Sequence, residues 1–366
     1  MKFLLLNWGD RKNPLGGGAE IHLEEIFSRI SAKGHEVTLL SSKFPGAEDE
    51  ELVDGIHIIR TGSRSFFNFQ VRDFYIKNLR HHHFDLVVDD INKIPFYSPL
   101  WVRQPVLPVI PHLFGTTVFR EVPFPLACYV HLWEKPLLKV YGNNVIEVLS
   151  DSTKQDLINR GFDPDKIEVI LCGIDHDKYS PEGLKSSTPL IVYVGRIKKY
   201  KGIDIALRAF KQVLKQKPES KFVIVGSGDA LKYLTNYASK LLPEQSYTFT
   251  GYVSEQEKVD WLRKAHLLLN PSEKEGWGLT GVEANACGTV VVASDSPGIR
   301  DSIINQETGI LVPHGDHNAM AVEILNFLNN PELLKKFQRQ AVARTKQLTW
   351  DLAAAQTLDL IERVIK

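Results

Sequence analysis

The sequence predicts an α/β protein of two doubly wound, parallel-sheet domains, and three observations carry that expectation. Short apolar runs of strand type alternate with amphipathic helical stretches along the chain, as strand-helix-strand units require. At 366 residues the chain is long enough for two domains, at roughly 100 to 200 residues each. Between the halves, Gly173 to Pro189 is polar, rich in turn formers and without period, and reads as the linker.

In the first half the expected strands are Phe3 to Asn7, Val37 to Ser41, Ile56 to Arg60, Leu86 to Asp89, Val106 to Ile110, Val145 to Leu149 and Lys166 to Leu171. The clearest helix is Ala19 to Lys33, with Ile21, Ile26 and Ile30 along one face and Gly34 as its stop. The second half begins with the buried-type strand Leu190 to Val194. It continues through helix Ile203 to Lys215, strand Phe222 to Val225, helix Ala230 to Leu241, strand Thr248 to Gly251, helix Glu255 to Lys264 and strand Leu267 to Asn270. A helix carrying Glu283, strand Val290 to Ser294, and closing helices Glu332 to Leu348 and Asp351 to Ile365 follow.

Hydrophobic residues at 43% and charged residues at 24% are ordinary for a globular protein. Lys plus Arg equals Asp plus Glu, so bulk charge gives no long-range pull toward nucleic acid, and none is expected as a partner. Cys128, Cys172 and Cys287 are odd in number and lack metal-ligand spacing, as expected of reduced thiols in a cytoplasmic protein. The opening Met-Lys-Phe-Leu-Leu-Leu-Asn-Trp reads as a first strand, too short in apolar run for a signal peptide. No stretch approaches the roughly 18 apolar residues of a membrane span.

The chemistry concentrates in loops that follow strands. Glu275 and Glu283 flank Gly276-Trp277-Gly278-Leu279, where glycines admit close backbone approach and a helix start presents N–H donors to a phosphate or sugar oxygen. A carboxylate at 283, about one turn in, suits a vicinal diol such as a ribose, and Glu275 could grip a sugar. Arg196 and Lys201, at a strand end and helix start, can neutralise a diphosphate whose charge grows as its bond to a sugar breaks. Gly226 and Gly228 form a second strand-to-helix turn, and Gly16, Gly17 and Gly18 a third. Each motif alone also reads as an ordinary solvated loop or turn.

As a set, Gly16-Gly17-Gly18-Ala19-Glu20, His112, Arg196 with Lys201 and the glutamate pair resemble the retaining GT-B glycosyltransferases of group 1, the family of sucrose synthase and the phosphatidylinositol mannosyltransferases. The resemblance runs from Asn7 to about Leu311 and is most specific in the second half. It implies two Rossmann-like domains facing each other across a cleft. Residues 1–173 would bind the acceptor, with the helix 350–366 packing back on them, and residues 174–349 the donor. The implied donor is a nucleotide diphosphate sugar, with no other cofactor and no metal, and the acceptor a glycan, lipid or small molecule. The resemblance further implies catalytic roles for His112, Glu275, Arg196 and Lys201. Donor contacts would come from Gly16, Gly17, Gly18, Gly226, Gly228, Tyr252, Val253, Gly276, Trp277, Gly278, Leu279 and Glu283, with the Thr250 to Val253 loop reading the nucleobase. Two departures from the family pattern are Trp277, where Phe is usual, and Asn285, where an apolar residue is typical.

Three rivals remain at this stage. A sugar-nucleotide epimerase shares the logic of the site, and a non-catalytic sugar-nucleotide binder would keep the same fold. A nicotinamide oxidoreductase is disfavoured because Gly-x-Gly-x-x-Gly is unmatched, position 21 being Ile. The aromatic-basic run Phe66 to Lys77 reads either as a core-facing helix with a basic outer side or as a peripheral membrane contact on the inner face of the membrane. His81-His82-His83 reads as a solvated helix terminus, and Asp163-Pro-Asp165 and Asp175-His-Asp177 as turns rather than metal clips.

Overall fold

A computed structural model describes residues 1–366, the side chain of residue 121 apart. The chain divides into two compact units, Met1–Gly173 with Trp350–Lys366, and Ile174–Thr349.

The first unit is an eight-stranded sheet. Its strands are β1 (Lys2–Leu6), β2 (Glu36–Lys43), β3 (Glu50–Val53), β4 (Ile56–Ser63), β5 (Leu86–Asp90), β6 (Val106–Ile110), β7 (Ile146–Val148) and β8 (Ile167–Val169), in the order β3-β4-β2-β1-β5-β6-β7-β8. All neighbours are parallel except β3 and β4. Strand β3 was not anticipated, although Asp54-Gly55 is a strong hairpin signal: both residues take positive φ, as a tight two-residue turn demands.

Strand order reverses between β1 and β5, because the chain builds outward from β1 on one side and then returns to the other. The helix Gly18–Ala32 covers β1 with Leu23, Ile26, Phe27 and Ile30. Ile21, placed on the core face by the sequence pattern, is exposed instead, since positions three and four apart on that helix, starting from Leu23, form the buried stripe. Against this helix packs the last one, Trp350–Ile365, where Arg29 Nε donates to Asp351 Oδ1 at 2.8 Å; the last helix also reaches β7, Thr357 Oγ1 donating to the buried Glu147 Oε2 at 3.0 Å.

The second unit is a six-stranded, all-parallel sheet of β9 (Leu190–Val194), β10 (Lys221–Val225), β11 (Tyr247–Gly251), β12 (Leu267–Asn270), β13 (Val290–Ser294) and β14 (Gly309–Val312). Its order, β11-β10-β9-β12-β13-β14, is that of a dinucleotide-type doubly wound sheet with the reversal between β9 and β12. Helices Ile203–Leu214 and His317–Asn329 bury Phe210 and Phe327 against it, with Phe222 and Ile324 in the same core. Strand β14 and helix His317–Asn329 lay in a stretch for which the sequence reading assigned no element. The helix expected over Glu332 to Leu348 spans Pro331–Thr345.

The segment read as a linker is not a free connection. Ile174 bridges to Thr349, Tyr179 is buried, and Arg263 holds the carbonyl of Ser180 at 3.0 Å, so residues 174–189 are a strap on the second unit. Among the described residues no helix is long and apolar enough to cross a membrane.

Candidate active site

In doubly wound sheets the crevice where strand order reverses, beyond the carboxyl ends of the strands, is the place two loops diverge and leave room for a ligand. In the second unit those loops are the ones after β9 and β12. They carry Arg196 with Lys201 and Glu275 with the following glycines.

The first loop folds back on its neighbour. Gly195, Arg196 and Ile197 leave β9, and Tyr193 Oη donates to the Arg196 carbonyl at 2.9 Å. A Cβ on Gly226 would lie 2.0 Å from the carbonyl oxygen of Gly195, and one on Gly228 would lie 2.2 Å from that of Ile197. The sequence reading assigns these glycines to a nucleotide. The geometry gives them a packing reason, because only a residue without a side chain lets the turn after β10 seat against the turn after β9. Gly226 N also donates to the Gly251 carbonyl at 2.9 Å, which anchors the Thr250 to Val253 loop. Tyr252 there is exposed and Val253 half-buried.

Gly202, at φ +65, ends the short 3-10 turn Lys199–Lys201; a Cβ there would lie 2.4 Å from the Pro271 carbonyl oxygen. That contact and the hydrogen bond from Glu273 N to the Tyr200 carbonyl at 3.1 Å clamp the β9 loop to the β12 loop. In consequence Lys201 Nζ is ion-paired with Glu275 Oε1, and it lies 5.1 Å from the centre of the Tyr200 ring. Burial is the largest influence and would lower the Lys201 ammonium, but the charges of Glu275 and Tyr200 and the hydrogen bond to Glu275 together outweigh it, and the group is held above its ordinary value.

Glu275 is fixed from the other side as well. Its N–H donates to the Pro297 carbonyl at 3.1 Å, and Ser296 Oγ to that of Ser272 at 2.7 Å. Trp277 is buried, and its indole N–H has no acceptor among the described residues. Gly278, at φ +81, caps the helix Leu279–Ala286, whose first turn leaves N–H groups directed at the loop.

Glu283 lies in that helix, 8% exposed. One carboxylate oxygen is 3.0 Å from Lys258 Nζ, and the other is buried without a partner among the described residues. Lys258 also pairs with Glu255 at 3.2 Å and sits 5.1 Å from the centre of the Tyr179 ring, while Tyr179 Oη donates to Glu255. Burial would lower Lys258, and the charges of Glu283 and Glu255 reverse this and raise it. The sequence reading missed Lys258, Tyr179 and Glu255. Lys258 and Glu255 stand three apart on one helix, which reads as a surface pair, and Tyr179 was assigned to a linker. Asn285, turned so that its amide nitrogen meets acceptors, donates to the carbonyls of Thr308 at 3.0 Å and Thr289 at 3.1 Å, which explains a polar residue beneath this helix.

The first unit has its own reversal point, between β1 and β5. Gly16, Gly17 and Gly18 lie in the loop after β1, with Gly17 as the extended cap of the helix Gly18–Ala32. The N–H of Gly17, assigned by the sequence to a ligand, is taken by Glu20 Oε2 at 2.8 Å, and Glu20 Oε1 meets Lys93 Nζ at 3.0 Å from the loop after β5. His112 follows β6 and Pro111, its ring 5.3 Å from that of Phe114. Thr153 Oγ1 donates to the Pro111 carbonyl at 2.9 Å, which fixes the backbone before the histidine.

Within the second unit, therefore, Lys201 and Glu275 come together, Glu283 forms a separate pair, and Arg196 is exposed. The Asp-x-Asp pairs are turn caps: Asp163 Oδ1 accepts from Asp165 N at 3.0 Å and Asp175 Oδ1 from Asp177 N at 3.1 Å. His83 lies exposed, 3.1 Å from Asp85. Among the described residues no group of three or more His, Cys, Asp or Glu is placed to hold a metal.

Comparison with known proteins places this geometry. A family model described as glycosyl transferases group 1 matches residues 175–344, and one described as glycosyltransferase family 4 matches residues 16–178. A D-inositol 3-phosphate glycosyltransferase 2 of Catenulispora acidiphila is 30% identical over 224 residues, covering 56% of this chain and 52% of that protein. The chain spans about half the length of the curated relatives it matches. Among solved structures, sucrose-phosphate synthase from Thermosynechococcus elongatus superposes with a TM-score of 0.83 at 22% identity, covering 99% of this chain and 98% of that one. HepE of Anabaena, crystallised with UDP-glucose, superposes with a TM-score of 0.76 at 16% identity, covering 99% and 100%. At these identities the structural likeness establishes the fold.

Proposed function

The chain belongs to the glycosyl transferases group 1 family, with the GT-B fold, and on that premise we propose that it moves a sugar from a nucleotide diphosphate sugar to an acceptor hydroxyl, with retention at the anomeric carbon and without a metal. The observation that carries the reading is the charged Lys201 held against Glu275 at the reversal point of the second sheet. A cation kept protonated there, with Arg196 on the same loop, meets the main demand of such a reaction, which is to stabilise the departing diphosphate. That HepE binds UDP and UDP-glucose supports a nucleotide-sugar donor.

In the proposed reaction the bond from the anomeric carbon to the phosphate oxygen breaks and its electron pair stays on the diphosphate. The acceptor oxygen then bonds to the same face of the sugar and gives its proton to that phosphate oxygen. Lys201 and Arg196 neutralise the leaving group, and Glu275 and His112 orient the sugar. The unpartnered oxygen of Glu283 accepts from the ribose hydroxyls while Lys258 holds the other oxygen in place. Gly276, Trp277, Gly278 and Leu279 surround the donor phosphates with backbone donors. Residues 1–173 with 350–366 bind the acceptor. A peripheral membrane contact is supported by Phe66 and Phe69, both exposed beside Arg72.

The test is incubation of the purified protein with UDP-glucose and other nucleotide sugars, with and without candidate acceptors. Nucleoside diphosphate released only with acceptor, and a product whose anomeric configuration matches the donor by proton NMR, is the expected result. An epimerised donor without acceptor, or tight binding with no turnover, would replace this reading with one of its rivals.

A further inference from the structure

The second unit has another built feature, on the edge of its sheet where the strands begin. There a cavity of ≈470 Å³ is lined by Lys185, Arg263, Lys335, Arg339 and Lys346, with Glu182 as its single acid. Lys335 and Arg339 are four residues apart on the helix Pro331–Thr345 and Lys346 follows its end, so the cations form one stripe. Arg263 is engaged by Glu182 at 3.1 Å and Lys335 by Glu332 at 3.1 Å. Lys185, Arg339 and Lys346 form no ion pair among the described residues.

Lys185 separates this cavity from an ordinary basic surface. It comes from the strap rather than the helix, and its ammonium is half-buried on neutral acceptors only: Thr289 Oγ1 at 2.7 Å and the Cys287 carbonyl at 3.4 Å. Burial pushes it down to about 8. A recessed cation without a counter-charge, facing three more at the rim, is an arrangement that attracts an anion. Pro181 and Val342 add apolar wall, which suits a carbon skeleton between charged groups. The recessed lysine favours a soluble ligand over a bilayer surface, whose headgroups would meet only the rim.

We propose that this cavity binds a small phosphorylated molecule, at the end of the sheet opposite the loops that carry Lys201 and Glu275. Thr289 immediately precedes β13, whereas the candidate active site lies beyond the strands' carboxyl ends.

Calorimetric titration of the whole protein with fructose 1,6-bisphosphate tests this, since that probe carries two phosphates and no nucleobase. The expected result is binding that weakens with salt, persists in Lys201→Ala, and falls about tenfold or more in Lys185→Met and in the double variant Arg339→Glu/Lys346→Glu. Circular dichroism on each variant confirms its fold, and the double variant, at exposed positions, stands in if Lys185→Met does not fold. The proposal is overturned if the wild type shows no heat at millimolar probe, or if Lys201→Ala abolishes binding while the double variant keeps it. Binding to phosphatidylglycerol vesicles with none to the soluble probe overturns it equally.

Discussion

A Cβ on Gly298 would stand 2.2 Å from the carbonyl oxygen of Glu275. Gly298 sits at φ +80, a conformation that side chains resist, and it opens the short helix Ile299–Ser302 beside the loop after β12. The loop that carries Glu275 is thus positioned by a residue on the next crossover, through the space that residue leaves empty.

Gly298→Ala is expected to cost on the order of 1–3 kcal/mol from backbone strain alone, and to displace Glu275. A lowered melting temperature together with reduced transfer checks this; a variant as stable and active as the parent would refute the clamp.

Lys201→Ala and Glu275→Ala should each reduce turnover by about 10²–10³-fold, the scale of losing one preorganised electrostatic contact, with the fold retained. Because the two residues are paired, removing both should cost less than the sum of the single losses. Steady-state rates on the four proteins of the double-mutant cycle test that coupling.

Lys258→Met leaves the partly buried Glu283 without its cation, at a cost of about 1–3 kcal/mol. It should also weaken nucleotide binding by loosening the carboxylate proposed to hold the ribose, as should Glu283→Ala directly. Isothermal calorimetry with UDP decides: unchanged affinity in both variants would remove the ribose assignment.

Burial pushes Glu147 up to about 8, against the hydrogen bond from Thr357 and with help from the charge of Glu168. A carboxyl raised in the folded state contributes its stability in full below its unfolded value of about 4.5 and loses it as pH climbs toward about 8. Replacing it with Gln should therefore leave the melting temperature little changed at acidic pH and give a relative gain as pH rises through that window. His22, 3.9 Å away and pushed down to about 3 by burial, is present in both proteins, so the difference between them isolates Glu147.

The fold class was legible because parallel strands buried on both faces are continuous apolar runs, as in Leu190 to Val194 and Val290 to Ser294. What escaped was of other kinds. The hairpin at Asp54-Gly55 has the turn chemistry but flanks a short edge strand with little apolar pattern. The pairing of Lys258 with Glu283 depends on two helices meeting in space, which no spacing along the chain records. The packing role of Gly226 and Gly228 is not legible, because a glycine that admits a ligand and one that admits a neighbouring carbonyl look identical in sequence. Lys201 and Glu275 are 74 positions apart, and the family resemblance, not local pattern, brought them under one reading.

The helix Trp350–Ile365 has a bearing on how the molecule comes into being. The first unit is built from two separate stretches of chain, with the whole of the second, Ile174–Thr349, inserted between Gly173 and Trp350. During synthesis Trp350–Lys366 must leave the ribosome before the helix Gly18–Ala32 gains its cover, so the first unit is completed only after the whole of the second has been made. Until then the surface that awaits Trp350 and Leu360 is open to chaperones, and a chain stopped after Thr349 would yield a finished second unit attached to an unfinished first.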